Sequence, residues 1–262
     1  SRTWSKASIM RVVVVPVLAD NYAYLLIDDA ARVAACVDPA EPHPLFIRAK
    51  EEGVTLTAVL TTHKHSDHAG GNAQMAAMVP GINIYGGRID NVQACTNPLQ
   101  HEDVFMVGNI EVKALHTPGH TRGSISYYCV QGGESIVFTG DTMFVGGCGR
   151  LFEGTYQDLY NSMVNVLGKL PETTKVYVGH EYTVKNLEFA VSVEKGNASL
   201  EKMLEWAKEQ RLSRKYTVPS TLRNEWAINP FMRAGDASMQ SLCPGCTPVD
   251  IFASLRKQKD SF

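Results

Sequence analysis

Thr61-Thr62-His63-Lys64-His65-Ser66-Asp67-His68-Ala69-Gly70-Gly71 is the stretch that decides how this 262-residue chain reads. The apolar run Leu56–Leu60 before it predicts a buried strand, and Gly70–Met78 after it has helical spacing. The stretch therefore occupies a loop at a strand's carboxyl end, where ligands converge while the backbone on either side stays rigid. In an extended segment His63 and His65 point the same way and share one metal ion. Asp67 and His68 are consecutive and follow the turn, so they reach a second ion more easily than they crowd the first. Imidazole and carboxylate donors at this density suit zinc, iron or manganese better than calcium, which wants mainly oxygen.

The same pattern of apolar strand, turn residue and ligand recurs downstream. Thr117-Pro118-Gly119-His120, Phe138-Thr139-Gly140-Asp141 and Val178-Gly179-His180 each put a ligand at a strand end. The expected assignment is His63, His65 and His120 on one ion, Asp67, His68 and His180 on the other, and Asp141 shared between them. His43, His101 and His116 lie outside the pattern and read as ordinary surface or hydrogen-bonded histidines.

Around this constellation, strand signals at Val12–Val17, Tyr22–Ile27, Ala34–Val37, Ile82–Tyr85, Val104–Val107, Ile110–Leu115, Ser124–Val130, Ile136–Thr139 and Lys175–Val178 alternate with helical ones at Pro42–Gly53 and Tyr156–Leu170. After His180 the signals are helical: Val184–Val193, Leu200–Arg211 and Val249–Lys259. All eight histidines lie at or before His180. Residues 1–182 carry 13 Lys and Arg against 18 Asp and Glu, whereas residues 183–262 carry 12 against 9. The expected organisation is an α/β metal domain over residues 1–180, with two sheet regions, followed by a small, mildly basic helical domain over residues 181–262.

Composition narrows the function classes. At 44% hydrophobic and 20% charged the chain is neither disordered nor a coiled-coil rod. Its longest clean apolar run, Val12–Leu18, is too short to cross a bilayer. A net charge of −2, with the acid excess on the metal domain, argues against a nucleic-acid partner. Of the six cysteines, several sit in apolar strand-like runs, as buried thiols of a reduced compartment do. Cys243-Pro-Gly-Cys246 is a lone pair without the strand–helix context of a redox motif, and reads as loop cysteines. The first 19 residues contain Arg2, Lys6 and Arg11 but no acid, which admits either a trimmed transit segment or residues ahead of a start at Met10. The expectation is a cytoplasmic monomer, with the mitochondrial matrix as the alternative.

His63-Lys64-His65-Ser66-Asp67-His68 with His120, Asp141 and His180 resembles the binuclear metallo-β-lactamase superfamily. Longer stretches narrow the resemblance: Asp20-Asn21-Tyr22-Ala23-Tyr24-Leu25, Val37-Asp38-Pro39, Phe138 to Phe144, Gly147-Cys148-Gly149-Arg150, Gly179-His180-Glu181-Tyr182-Thr183, Asn229-Pro230-Phe231-Met232-Arg233 and the tail from Leu255 to Asp260 are similar to the glyoxalase II, or hydroxyacylglutathione hydrolase, family. The resemblance runs from about Met10 to Phe262. It implies an αββα sandwich with a C-terminal helical substrate domain, two divalent metal ions (zinc first, iron or manganese otherwise), and hydrolysis of S-D-lactoylglutathione to glutathione and D-lactate. Attack by a metal-bridging hydroxide, with Asp67 and Asp141 as the catalytic carboxylates, fits a thioester, whose thiolate leaves without a strong general acid. The family's glutathione contacts fall on Arg150, Phe152, Tyr182, Arg256 and Lys259. Phe152 stands where the family commonly has Tyr, which removes a hydroxyl. The presence of both Arg256 and Lys259 favours glutathione over trypanothione. The competing readings are a mononuclear iron persulfide dioxygenase, a β-lactam hydrolase, a nuclease of the same superfamily and a non-catalytic scaffold.

Overall fold

The computed structural model describes residues 10–262, so the reading of residues 1–9 as a transit remnant falls outside the described residues. The chain divides into two compact units. One holds the residues up to His116 together with Ile125–Phe138, and the other holds Thr117–Ser124 with Thr139–Phe262.

The first unit is built on two sheets. In the first sheet β1 (Met10–Val17), β2 (Asn21–Asp28) and β3 (Val33–Val37) run antiparallel. Then β4 (Thr55–Leu60), β5 (Asn83–Gly87) and β6 (Asn97–Leu99) continue in parallel. Pro16 is tolerated because β1 is the edge strand. Every residue of β2 is buried, as a strand covered on both faces requires. On one face Leu45 and Ala49 of helix α1 (Pro42–Glu51) pack with Met75 of α3 (Asn72–Met78) over Ala23, Leu25, Ile27, Ala34, Cys36 and Val59. A one-turn helix, α2 (Ser66–Ala69), lies between β4 and α3. The second sheet is an antiparallel meander of β7 (Val104–Val107), β8 (Ile110–His116), β9 (Ile125–Gln131) and β10 (Glu134–Gly140). It packs on the other face of the first sheet: Tyr24 meets Phe138 with ring centroids 5.2 Å apart, and Tyr85 stacks on Phe105 at 3.9 Å. The buried Tyr127 hydroxyl donates to Thr61 O at 2.8 Å, anchoring the start of the His loop.

The second unit takes up the chain at Thr139, in the last residues of β10. It contains a short hairpin of β11 (Met143–Phe144) and β12 (Gly147–Cys148), helix α4 (Tyr156–Tyr160) continuing as a π-helical turn to residue 166, and β13 (Lys175–Val178). Five helices follow, with one short strand among them: α5 (Thr183–Val193), α6 (Ala198–Leu212), β14 (Ser220–Thr221), α7 (Leu222–Ile228), α8 (Ala237–Gln240) and α9 (Pro248–Ser261). Thr247 and Asp250 close a capping box on α9, and Pro248 occupies its first turn.

The α/β class with two sheet regions and a helical C-terminal part is as expected. The chain also pairs back across residue 181. Ser220 and Thr221 pair with Val176 and Lys175, and Leu222 N donates to Thr174 O at 3.1 Å, so the segment after His180 closes onto the strand before it. Tyr156–Leu170 is helical as expected but passes from α through π to 3-10 geometry. The short elements α2, α7, α8, β6, β11, β12 and β14 carry too few residues for periodicity to reveal. Among the described residues no helix is long and apolar enough to cross a membrane.

Candidate metal and substrate site

In the first unit one buried carboxylate organises the His loop. Thr61 N donates to Tyr85 O at 3.0 Å, which extends the β4–β5 pairing by one residue. The next residue, Thr62, is held from both sides: its N–H donates to Asp38 Oδ1 at 2.7 Å and its carbonyl accepts from Ile125 N at 2.8 Å. Asp38 Oδ2 accepts from the Thr62 hydroxyl at 2.7 Å and from His68 Nδ1 at 2.9 Å. A carboxylate only accepts, so His68 is protonated on Nδ1 and its Nε2 carries the lone pair. The Thr62 hydroxyl spends its one proton on Asp38, so it accepts from His63 Nδ1 at 3.1 Å, and His63 also carries its lone pair on Nε2. Asp38 thus sets the tautomers of two imidazoles, as partners of metal-ligating histidines do.

His63 Nε2 lies 3.0 Å from His65 Nδ1, and the His63 and His68 ring centroids are 4.2 Å apart. His65 sits at the N-cap of α2, whose first turn supplies Asp67 and His68. Asp67 Oδ2 is 3.5 Å from His68 Nε2. Asn21 fixes this carboxylate, with Nδ2 donating to Asp67 O at 2.9 Å and to Oδ2 at 3.2 Å. The donor atoms of His63 and His65, and those of Asp67 and His68, fall within 4.8 Å of each other. Gly71 is required by a close approach, since a Cβ there would lie 2.0 Å from Pro39 O.

In the second unit Asp141, His120 and His180 come together. Gly179 N donates to Gly140 O at 3.0 Å, so the ends of β13 and β10 carry His180 and Asp141 side by side. Asp141 Oδ2 is 3.4 Å from His120 Nε2 and 3.4 Å from His180 Nε2. Those separations exceed a hydrogen bond, but they match the edge of a tetrahedron of donors about 2.05 Å from a central ion, roughly 3.3 Å. His120 Nδ1 donates to Arg150 O at 2.9 Å, which again leaves Nε2 as the basic atom. Gly149, one residue before that carbonyl, is packed too closely for a side chain: a Cβ would lie 1.9 Å from Asp141 O and 3.1 Å from His120 Nδ1. Tyr182 stacks on His180 at 4.7 Å, and Phe152 meets His120 edge-on at 5.1 Å. In both units the buried imidazoles, fixed tautomers and donor spacing fit divalent metal ions.

Arg150 and Phe152 are exposed beside His120, and Tyr182 is exposed beside His180. Arg256 is only 4% exposed. Its Nη1 donates to Cys148 O at 2.7 Å and its Nη2 to Asp260 Oδ1 at 3.0 Å. The same Asp260 oxygen is 3.5 Å from Arg150 Nε. Arg256 therefore holds the Gly147–Arg150 stretch as well as offering charge, a contact that helical spacing does not disclose. Lys259 Nζ donates to Lys185 O at 3.1 Å, and burial together with the nearby Arg256 and Lys185 charges lowers its pKa to about 8. His43 and His101 sit in local hydrogen bonds, to Gln74 and to His116 N. Asp38, Asn21, Thr62 and Asp260 also support the site, a role that the motifs containing them do not disclose. Val37-Asp38 does repeat the strand-then-acid pattern seen at Asp141.

Residues 181–262 match the family model described as hydroxyacylglutathione hydrolase C-terminus, and residues 76–180 match that of the metallo-beta-lactamase superfamily. Over 256 residues the chain is 45% identical to a cytoplasmic hydroxyacylglutathione hydrolase of Arabidopsis thaliana, covering 97% of this chain and 99% of the relative. It is 41% identical to a hydroxyacylglutathione hydrolase-like protein of Gallus gallus, covering 97% and 90%. The crystal structure of ETHE1 from Myxococcus xanthus superposes with a TM-score of 0.68 at 27% identity, covering 95% of this chain and 90% of that one.

Proposed function

The chain belongs to the hydroxyacylglutathione hydrolase family of the metallo-β-lactamase superfamily, and on that premise we propose that it hydrolyses S-D-lactoylglutathione to glutathione and D-lactate. The observation that carries this reading is the full-length relationship to hydroxyacylglutathione hydrolases, C-terminal helices included, in a chain that keeps all seven ligand types. His63, His65 and His120 would hold one ion and Asp67, His68 and His180 a second, with Asp141 serving both. Zinc is the first choice, and the donor set also accepts iron or manganese. When bound, such ions polarise a carbonyl and make water nucleophilic near neutral pH.

The protein's own groups complete the chemistry. Asp67 Oδ2, steadied by Asn21, accepts a hydrogen bond from the attacking water and aims its lone pair at the thioester carbon. Asp38 and the Arg150 carbonyl keep His68 and His120 in the tautomers that present Nε2. Addition of water to the carbonyl carbon is followed by loss of the C–S bond, and the thiolate departs because its parent thiol has a pKa of about 8.5–9. Tyr182 and Phe152 form apolar walls beside the two imidazoles. Arg150, Arg256 and Lys259 supply positive charge for the two glutathione carboxylates, with Arg256 also bracing the Gly147–Arg150 stretch. We place the enzyme in the cytoplasm, as a monomer.

The test compares kcat/KM for S-D-lactoylglutathione with that for a lactoyl thioester of a small thiol lacking both carboxylates. The proposal expects a preference of about tenfold or more for the glutathione ester, from charge-assisted contacts worth ~1.5–3 kcal/mol. Equal values would remove glutathione from the reading. Two bound ions per chain would exclude the mononuclear dioxygenase alternative.

A further inference from the structure

The Cys243-Pro-Gly-Cys246 segment lies between α8 and α9 and takes no part in the hydrolytic reading. Its two cysteines are disulfide-bonded across a four-residue turn. Cys246 N donates to Cys243 O at 3.1 Å, and Gly245 has φ +83°. Pro at the second position and a left-handed Gly at the third are what a type II turn demands. The Pro-Gly sequence therefore forms this turn by itself, and the backbone brings the two Cα atoms to 5.5 Å whether or not the sulfurs are joined. A disulfide closing so short and pre-formed a loop restricts the unfolded chain little, so it contributes little structural stability.

Access points the same way. Both cysteines are half-buried, and Pro244 and Gly245 between them are exposed, so a small thiol can reach the pair. Among the described residues the other four cysteines are placed differently. Cys36, Cys129 and Cys148 are buried, with burial raising their thiol pKa values, to about 11 for Cys148. Cys95 is half-buried but has no bonded partner. The pair is also placed to favour one thiolate: Cys246 immediately precedes Thr247, the N-cap of the 14-residue helix α9.

We propose that Cys243 and Cys246 form a thiol–disulfide exchange site for a small-molecule thiol of the glutathione class. The incoming thiolate attacks Cys243 Sγ. A new S–S bond forms between it and Cys243 while the Cys243–Cys246 bond breaks, and the electron pair leaves on Cys246 Sγ. A second thiolate then attacks the sulfur of the attached small molecule, releasing the small-molecule disulfide and the Cys243 thiolate. Two thiols are oxidised to one disulfide as the protein pair is reduced by two electrons, and both protein thiolates take up the protons that the incoming thiols gave up. The reverse direction uses the small-molecule disulfide as oxidant. The proposal does not depend on the hydrolytic reading, because its test supplies the thiol directly.

The experiment equilibrates the metal-loaded full-length protein in buffers of varied reduced-to-oxidised glutathione ratio, traps thiols by alkylation, and reads the peptide spanning residues 243–246 by mass spectrometry. The expected result is reversible conversion between disulfide and dithiol, following the square of reduced over oxidised glutathione, while Cys36, Cys129 and Cys148 stay unlabelled. Under oxidised glutathione the Cys246→Ser variant is expected to acquire one glutathione, on Cys243. A peptide that stays fully oxidised or fully reduced at every ratio would overturn the proposal, as would the absence of an adduct on Cys243 in folded Cys246→Ser.

Discussion

Replacing Asp38 by Asn tests the claim that one buried carboxylate presets two imidazoles. The amide keeps the shape, and its oxygen can still accept from Thr62 N, 2.7 Å from Asp38 Oδ1 in the native protein. At the Oδ2 position, however, an NH2 group now faces the Thr62 hydroxyl and His68 Nδ1, which lie 2.7 and 2.9 Å away. His68 must then accept at Nδ1, which moves its proton to Nε2 and removes the lone pair offered to a metal. The Thr62 hydroxyl loses its acceptor and no longer fixes His63. Loss of a supporting partner of a metal-ligating His costs about 10–100-fold in affinity. With two imidazoles affected, the upper end of that range is expected, about 2.7 kcal/mol. Competition of the apo protein against a chromophoric zinc chelator gives the affinity, and circular dichroism confirms folding. The control is Asp90→Asn: Asp90 accepts from Lys64 N at 2.7 Å in the same loop, and this variant should stay within about threefold of the parent. A folded Asp38→Asn protein binding zinc within twofold of the parent would refute the tautomer argument.

Three further perturbations probe other parts of the site. Gly149→Ala forces a methyl to within 1.9 Å of Asp141 O, so a loss of about 1–3 kcal/mol in unfolding free energy and weaker metal binding are expected; an unchanged Tm would show that the backbone there yields freely. Arg256→Ala with Lys259→Ala should raise KM far more than it lowers kcat, as lost uniform binding does. Arg256→Ala alone should also lower Tm by orphaning the Cys148 carbonyl, whereas Lys259→Ala should not. Lys259 titrates near 8, so an anionic substrate meets its ammonium form below that pH and its neutral form above it. KM measured over roughly pH 6.5–9.5 should therefore be flat on the acid side and rise on the alkaline side, and Lys259→Gln should remove that rise. A rise that persists in Lys259→Gln would assign it to another group.

The parts of the site legible in the sequence are those that repeat. His63, His65, Asp67, His68, His120, Asp141 and His180 all follow strands, and the structure gathers them into two clusters at those strand ends. Asp38 obeys the same rule, but before Pro39 it also reads as a turn former, and only its distances to Thr62 and His68 separate the two roles. Arg256 shows the limit of periodicity. Spacing puts it on one helix face with Lys259, but says nothing of the Cys148 carbonyl opposite, 108 residues away in sequence. Composition changes near residue 181, but it does not disclose that β14 pairs back to β13 across that point. Short elements such as α7, seven residues capped by Thr221, fall below the length at which a periodic pattern stands out.

Metal-dependent hydrolysis of a glutathione thioester is the reaction proposed for the His and Asp clusters. The most direct measurement is the initial rate of S-D-lactoylglutathione hydrolysis by protein shown to carry two metal ions, with a chelator-stripped sample and its metal-restored aliquot alongside. Rapid turnover that disappears on stripping and returns with added zinc is expected. Absence of turnover in the doubly loaded protein, or equal turnover in the stripped one, would overturn the proposed activity.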